Sequence, residues 1–455
     1  SQRHPDDAGR EFLASSDNWF RPTMVKSGPD GALYIADMYR FVIEHPEWIS
    51  PQAQAAVDVR LGSDKGRIYR VFPRGFALKK FKSLAEGGTV PRVQALASPN
   101  GWMRDKAQQL LVNERSERAA NLAGVAFRTG PSVKARLQAL CALDGLNALE
   151  TDVLATALKD EDADMRRHAV RLCEPILRSG FASVTTAQAD TLVEALTARV
   201  DDESARVRQQ LAFTLGEWRD PRAGQALGRL ALKDQGDRNV MTAIMSSAVP
   251  HLAEMIGVVV NVKEGQEPSG ELVEQTLGLA AALGLQHSVA EALNEVGEDD
   301  DGALPEWKLQ ATVGFLIALD GRNTTLLKFE KEANPELKAA IRRLDKVFAH
   351  ARGITQDPDS KLEDRLTAVR ILGHGLDKID EDSEALGAML SARNPFEVQK
   401  AALQSLRKVR RAGTPDFLIR GWRSYSPSMR SEVAYALMSR RDWLTKLLDA
   451  IRTRG

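Results

Sequence analysis

The residues best suited to chemistry lie near the N-terminus, in a short segment rich in strand-forming residues. They are Arg21, Asp37, Arg40, His45, Asp58, Arg60 and Arg67. Guanidinium and carboxylate groups that converge on one pocket can bind an anion, a metal or the hydroxyl groups of a sugar. The same groups can also pair between neighbouring strands or brace a long loop, and this structural alternative stays open.

His45 follows Glu44 in the sequence and is suited to act as a base or ligand, or to cap a turn. The remaining candidates for metal ligands are scattered singly, at His168, His251, His287, His350 and His374. None has H-x-x-x-H or H-E-x-x-H spacing, so we predict no metal site. No G-x-S-x-G turn occurs, and the run LGLAAALGLQ (277–286) indicates helix packing, because no strand precedes it.

The strongest local charge imbalance lies in residues 401–455, where twelve Lys or Arg residues and four acidic residues give a net charge of +8. We predict an interaction surface at Arg407, Lys408, Arg410 and Arg411 for an acidic partner domain, for phosphates or for the chain's own acidic loops at 297–301 and 380–384. The alternative is a set of solvated helices whose arginine stems cover Leu and Trp side chains. The whole chain has 62 basic and 62 acidic residues, so we expect no nucleic-acid partner.

Short strands must position the N-terminal residues. TMVKS (23–27) and ALYIAD (32–37) flank the turn sequence GPDG (28–31) and predict a hairpin, and GRIYRVF (66–72) predicts a separate strand. Residues 44–65 then form a long connection, and such connections are usually functional or disordered.

From about residue 83 onward, Ala and Leu recur at the three- and four-residue spacing of helices. Several helical segments can be aligned at one polar residue that is followed by small apolar residues. In the first set of segments these residues are Arg104, Arg136, Arg166 and Arg208, and in the second set they are Arg365, Gln399 and Arg430. Within each set the spacing is 30–42 residues, the length of a two-helix repeat. Clusters of Asp, Ser and Asn before several segments predict helix starts. We therefore predict a mainly α fold, an α-solenoid of HEAT-like repeats.

The periodicity weakens between about residues 250 and 305, where the polar stretch 263–270 predicts a linker. The predicted organisation is a β segment over 1–76, a first helical array over 77–262, the linker, and a second array over 271–455. Cys141 and Cys173 are the only cysteines, which excludes a disulfide framework and a C-x-x-C-H haem attachment. There is no apolar run of about eighteen residues and no apolar N-terminal region, so the sequence predicts neither a membrane span nor a signal peptide.

The segment SSDNWFRPTMVKSGPDGALYIADMYRFVIEHPEWI (15–49), followed by DVRLGSDKGRIYRV (58–71), resembles the end of the propeller domain in the planctomycete and verrucomicrobial membrane-bound dehydrogenase family. The motifs are similar to the closing blade of a β-propeller related to quinone-dependent glucose and sorbosone dehydrogenases. The resemblance implies a partial propeller blade followed by a HEAT-like array, and in many members a C-terminal c-type cytochrome domain.

A propeller needs about four to eight blades to close, so we expect the chain to be a truncated piece of a longer exported protein, periplasmic or associated with the cell envelope. The resemblance implies quinone, calcium and haem c in the full-length parent only, and no cofactor in this chain.

Two functions follow from the resemblance. In the first, the chain is a non-catalytic scaffold that contacts the propeller blades, a cytochrome c domain or another protein. In the second, the parent is a quinone-dependent carbohydrate or alcohol dehydrogenase, and residues 15–71 complete its active site.

Overall fold

In the computed structural model, the chain divides into two compact units, Ser1–Val153 and Leu154–Gly455. The structure describes residues 6, 8–43, 45–78, 80–182, 184–262, 265–298, 304–357, 359–409 and 413–454. Most of these residues are helical, so the predicted mainly α fold is confirmed.

The first unit begins with a three-stranded antiparallel sheet in the order β1-β2-β3. The strands are β1 (Pro22–Ser27), β2 (Leu33–Asp37) and β3 (Arg67–Val71). β1 and β2 form the predicted hairpin, and the Gly28 amide closes its turn by donating to the Ala32 carbonyl at 2.8 Å. Gly31 in this turn has a φ of +89°, which favours glycine. The third predicted strand joins the same sheet, with Tyr69 of β3 opposite Ile35 of β2.

One face of this sheet carries an exposed apolar strip. The strand register places Met24, Ala36 and Ile68 side by side across the three strands. The exposed fractions of Met24 and Ile68 are 56% and 70%, whereas Ile35 on the opposite face is 2% exposed. We call Met24, Ala36 and Ile68 the apolar strip.

The long connection between β2 and β3 contains helical turns that the sequence pattern did not predict. A 3-10 turn spans Pro46–Trp48, and helix α1 spans Pro51–Ala56. The Ser50 side chain accepts a hydrogen bond from the Ala53 amide at 3.3 Å and caps α1. Proline at the first helical position is compatible with this start, because that position needs no amide donor.

Helices follow the sheet in the first unit. They are α2 (Thr89–Ala95), α3 (Gly101–Glu114), α4 (Glu117–Thr129) and α5 (Val133–Gly145). α2 and α5 each pack against both α3 and α4. Asn100, Ser116 and Ser132 cap α3, α4 and α5 by accepting hydrogen bonds from first-turn amides.

The remaining helices belong to the second unit, except that α6 contains the division between the units. They are α6 (Thr151–Ala157), α7 (Ala163–Leu172), α8 (Glu174–Arg178), α9 (Thr186–Thr197), α10 (Ala205–Leu215), α11 (Pro221–Lys233), α12 (Arg238–Ala248), α13 (Leu252–Val260), α14 (Gly270–Leu283), α15 (Gln286–Gly297), α16 (Glu306–Gly321), α17 (Leu326–Glu332), α18 (Pro335–Arg343), α19 (Asp345–Gln356), α20 (Leu362–Ile371), α21 (Ile379–Ala388), α22 (Phe396–Lys408), α23 (Thr414–Arg420), α24 (Pro427–Met438) and α25 (Arg441–Arg454). Further 3-10 turns span Ala198–Asp201, Val249–His251 and Trp422–Ser424.

Alternate helices of the second unit stack on one another. α10 packs against α7 and α12, and the later series runs from α14 through α16, α20 and α22 to α24. A second layer includes the stacked helices α11, α13 and α15. Fully buried aliphatic residues such as Leu211, Ala212 and Leu227 form the core between the layers.

Part of the predicted linker is held in place by a glutamine. The Gln235 side chain donates to the Glu267 carbonyl at 3.2 Å and accepts from the Ser269 amide at 2.7 Å. α13 and α14, on either side of this stretch, pack against each other. Residues 263 and 264 lie outside the described residues, and the predicted joint between two helical arrays stays a prediction.

One stretch within the described residues, Arg238–Val260, has the length and apolar composition of a membrane-crossing helix, which the sequence analysis did not anticipate. It consists of α12, a 3-10 turn and α13, and 56% of its most apolar window is buried inside the protein. α12 packs on α10, and α13 packs on α11 and α15. Core packing of this kind requires the same apolar composition.

Candidate functional site

The residue that marks each predicted repeat occupies one helical position. Arg104, Arg136, Arg166, Arg208, Arg365, Gln399 and Arg430 are each the fourth residue of their helices, α3, α5, α7, α10, α20, α22 and α24. From this position Arg166 donates to the carbonyl groups of Asp160 and Glu161, both at 2.9 Å. Arg104 and Arg208 likewise donate to the carbonyls five and six residues before them. These arginines therefore fasten each helix to the loop that precedes it.

Two of these arginines also join successive repeats. Arg166 donates to both carboxylate oxygens of Asp202, at 2.7 and 2.8 Å, and Arg208 donates to both oxygens of Asp234, at 2.7 and 2.6 Å. Burial opposes ionisation of Asp202, but hydrogen bonds from Arg166 and from the Ser204 amide outweigh it and lower the pKa of Asp202. The repeated arginines thus have a structural role.

Helices α12, α14 and α16 lack an arginine or glutamine at the fourth position. Their fourth residues are the apolar Met241, Val273 and Leu309. α14 and the loops around it fall in the part of the sequence where the periodicity weakens. No arginine at this position can therefore tie these three helices to their neighbours.

Glycines bring α14 and α16 unusually close together. A Cβ atom added to Gly314 would lie 2.4 Å from the Gly270 carbonyl oxygen, and one added to Gly278 would lie 3.0 Å from the Cβ of Ala318. A side chain at position 314 would overlap the backbone of α14, and one at position 278 would push Ala318 away by a few tenths of an ångström. Between α12 and α14, by contrast, a cleft of about 970 Å³ opens.

The cleft continues across α14. Its first part lies between α12 and α14, and its lining includes Arg238, Met241, Thr242, Met245, Glu271, Glu274, Gln275, Gly278, Leu279 and Ala282. A second part of about 470 Å³ extends over α16 to α20, and its lining includes Glu271, Glu274, Gln275, Gln310, Val313, Ile317, Thr367 and Arg370. Glu271, Glu274 and Gln275 line both parts, so we treat them as one site and call it the α12–α20 cleft.

Charged side chains of the α12–α20 cleft have no partners among the described residues. Arg238, Glu274 and Arg370 form no ion pair or side-chain hydrogen bond in the part of the chain that the structure describes. Glu271 only accepts a hydrogen bond from the neighbouring Gln275 amide group at 3.2 Å. An open cleft that is lined by apolar residues and by unengaged charges suits binding of a ligand.

The predicted N-terminal residues are brought together only in part. Asp37 is 2% exposed and accepts hydrogen bonds from the amides of Arg21 and Tyr39, at 2.8 and 2.9 Å. Arg67 lies 3.7 Å from the Asp37 carboxylate and stacks 3.9 Å above the centre of the Tyr39 ring. Asp37 therefore braces the backbone beside the sheet, in line with the structural alternative.

Arg40, His45, Asp58 and Arg60 form no hydrogen bond or ion pair with Asp37 in the described part of the chain. His45 is exposed, and its Nδ1 atom accepts a hydrogen bond from the Glu47 amide at 3.4 Å, which is a turn-capping contact. Asp58 is also exposed and accepts from the Arg60 amide in a turn at 2.9 Å. Arg40 differs, because its Nη1 atom is buried without a hydrogen-bond partner among the described residues.

The predicted basic surface is described only in part. Lys408 pairs with Asp320 at 2.8 Å, so this positive charge is already engaged within the second unit. Arg407 is exposed. Arg410 and Arg411 lie outside the described residues, and the predicted interaction surface stays a prediction.

Sequence reasoning missed ionic contacts that form between helices distant in sequence. His287 lies 2.8 Å from Glu336, which is 49 residues later in the sequence. A pocket of about 310 Å³ is lined by Asp320, His374 and Lys408, among others. Burial lowers the pKa of His374, Asp320 raises it and Lys408 lowers it, with a net decrease.

The helical part is an α-solenoid of HEAT-like repeats, as predicted, and a family model described as HEAT repeats matches residues 151–248. A second model, described as a domain of unknown function (DUF7133), matches residues 1–75, which include the sheet. No curated protein sequence matches the chain.

Solved structures resemble the chain at low sequence identity. A mutant of Kap121p has 13% identity and a TM-score of 0.43, and the match covers 80% of this chain and 42% of that one. An engineered protein has 15% identity and a TM-score of 0.29, covering 76% and 97%. A structure from work on the interaction between cadherin and beta-catenin has 12% identity and a TM-score of 0.30, covering 79% and 94%.

Proposed function

We propose that the chain is a helical-repeat scaffold that binds a protein segment in the α12–α20 cleft. The observation that carries this proposal is an open cleft lined by three charged residues, Arg238, Glu274 and Arg370, that have no partner among the described residues. Apolar walls supply affinity when they are covered, and charged groups supply selectivity. The HEAT-repeat match supports an interaction role, since stacked repeats expose long binding surfaces.

A variant whose cleft is blocked tests the proposed binding of a protein segment. Ala282 is exposed on the cleft wall, so Ala282→Trp should fill the cleft without disturbing the core. We expect a random ten-residue peptide library to yield binders to the wild-type chain that the Ala282→Trp variant does not retain. Glu291→Trp, at an exposed position on α15, is the matched control and should retain them. A library that yields no binder sensitive to Ala282→Trp would overturn the proposal.

We also propose that this scaffold belongs to a larger exported, dehydrogenase-like protein. The N-terminal motifs support this, because they resemble the last blade of a quinone-dependent dehydrogenase propeller. The exposed apolar strip of Met24, Ala36 and Ile68 supports it as well, since neighbouring propeller blades pack face to face. The Nη1 atom of Arg40 is buried and has no hydrogen-bond partner among the described residues, and an adjacent blade or a ligand would satisfy this donor.

The length of the natural polypeptide distinguishes a larger dehydrogenase-like protein from an independent scaffold. Intact-mass measurement of the protein from its native source, together with the reading frame of its gene, should reveal propeller blades before residue 15. The purified full-length protein should then reduce an artificial electron acceptor with sugars or alcohols when quinone and calcium are present. A natural polypeptide without preceding blades would overturn the parent proposal and leave the scaffold function intact.

A further inference from the structure

The charges of the α12–α20 cleft point to the chemistry of its occupant. We propose that the cleft binds an extended peptide segment with a central Lys or Arg, a large apolar side chain beside it and an acidic residue near one end. This inference rests on the proposed scaffold function and names the partner of the same site.

The apolar pocket lies between α12 and α14. Met245 on α12 and Leu279 on α14 line it and are half-buried, and Ala282 leaves its outer end open. Methionine side chains adapt to differently shaped apolar groups because they are unbranched and flexible. The pocket therefore suits a Leu, Met or Phe side chain of the occupant.

The acidic groups lie at the centre of the cleft. Glu271 and Glu274 are the carboxylates that line both parts, so a segment crossing from one part to the other must pass them. Glu274 has no partner among the described residues. A neutral or acidic group at this point would leave the carboxylates uncompensated, whereas a Lys or Arg side chain would pair with them.

The two ends of the cleft carry the opposite charge. Arg238 lines the first part and Arg370 the second, and neither has a partner in the described residues. The charge order along the site is thus positive, negative, positive. An occupant with a basic centre and an acidic end matches this order, whereas a uniformly basic segment would be repelled at both ends.

The spacing of the helices sets the length of the occupant. Packed helices lie about 8–10 Å apart, so the three steps from α12 to α20 cover at least about 24–30 Å, and the open step from α12 to α14 adds to this length. An extended chain advances about 3.3 Å per residue, so about eight to ten residues are needed. Shorter peptides should reach only one part of the cleft.

Fluorescence anisotropy with labelled ten-residue peptides tests the inference. The reference peptide carries Leu, Lys and Asp in the proposed order, and a second peptide has Glu in place of Lys. We expect the reference peptide to bind the wild-type chain at least about tenfold more tightly than the Glu peptide, because like charges in contact are strongly unfavourable. Raising the salt concentration should reduce this difference.

A charge-reversal variant of the protein provides the decisive binding test. Glu274→Lys should weaken binding of the reference peptide and restore binding of the Glu peptide, a reversal that a misfolded variant cannot produce. Glu291→Lys, on the exposed surface of α15, is the control and should change neither. Equal affinity of both peptides for the wild-type chain would overturn the inference. If the library instead yields binders that depend on the cleft but lack a basic residue, the scaffold function stands and only the proposed chemistry fails.

Discussion

Arg166 and Asp202 form a buried ion pair that stabilises the fold. Their side chains are 7% and 1% exposed, and Arg166 also donates to two loop carbonyls. A buried pair of this kind is costly to break, because the remaining partner stays charged in a poorly solvated site. The repeat marker that the sequence revealed is therefore a stability element.

We expect Asp202→Ala to lower the free energy of unfolding by about 3–5 kcal/mol, since it leaves Arg166 buried with only the exposed carboxylate of Glu203, 3.4 Å away, as an ionic partner. The neighbouring Asp201 is 77% exposed and pairs with Lys233, so Asp201→Ala should change the free energy of unfolding by less than about 1 kcal/mol. Urea titration followed by circular dichroism measures both. Equal losses for the two variants would contradict the structural role of the Arg166–Asp202 pair.

A buried histidine should make stability depend on pH. His251 is 3% exposed, and burial lowers its pKa below the ordinary value of 6.5, although Glu254 raises it. As the pH falls below about 6.5, the unfolded chain takes up a proton before the folded chain does, so the free energy of unfolding decreases. We expect His251→Met to make this decrease shallower between about pH 7 and pH 5 in urea titrations. An unchanged slope would show that His251 does not contribute.

At the level of helices, close packing in one place leaves space in another. Gly270, Gly278 and Gly314 let α14 approach α16, while α12 stays apart from α14 and the cleft opens between them. In the same layer of the second unit, α7, α10, α20, α22 and α24 carry an arginine or glutamine at the fourth position, whereas α12, α14 and α16 carry an apolar residue there. The binding site that we propose thus lies where the repeat changes its packing.

Gly314→Ala should destabilise the second unit by about 1–3 kcal/mol, because the new methyl group would overlap the Gly270 carbonyl and force α14 and α16 apart. Gly353→Ala on α19 is the matched control, since a Cβ atom there meets open space. It should stabilise the protein by about 0.5–1 kcal/mol through the better helix propensity of alanine. Thermal and urea unfolding distinguish the two signs, and destabilisation by both variants would refute the close-contact argument.

Across the whole molecule, stability should be local, since each helix of the second unit packs mainly on the nearest helices in its layer. Such an array has no single central core. A defect in one repeat should therefore loosen its neighbours and leave distant repeats protected.

Two core truncations test this locality by hydrogen exchange. Leu211 on α10 is fully buried, and Leu211→Ala should cost about 2–5 kcal/mol and raise exchange most in α7, α10 and α12. Leu403→Ala on α22 is the matched variant and should raise exchange most in α20, α22 and α24. If both variants raised exchange evenly over the second unit, the local picture would be wrong.

The sequence by itself determined the repeats, the caps and the hairpin, because these depend on neighbours in the chain. An arginine four residues into a helix binds the loop just before it, and GPDG closes a turn between adjacent strands. Such contacts leave a regular spacing in the sequence. This is why the HEAT-like fold and the strands over 23–37 and 66–72 were predicted.

Only the tertiary structure decided where the cleft lies and which charged residues line the same pocket. Glu274 and Arg370 are 96 residues apart, and Asp320 and His374 are 54 apart, so no local pattern connects them. Conversely, Asp37 looked like a site residue but is engaged by backbone amides on folding. Residue type and spacing report contacts within one or two turns, whereas a binding surface is built from helices that only packing brings side by side.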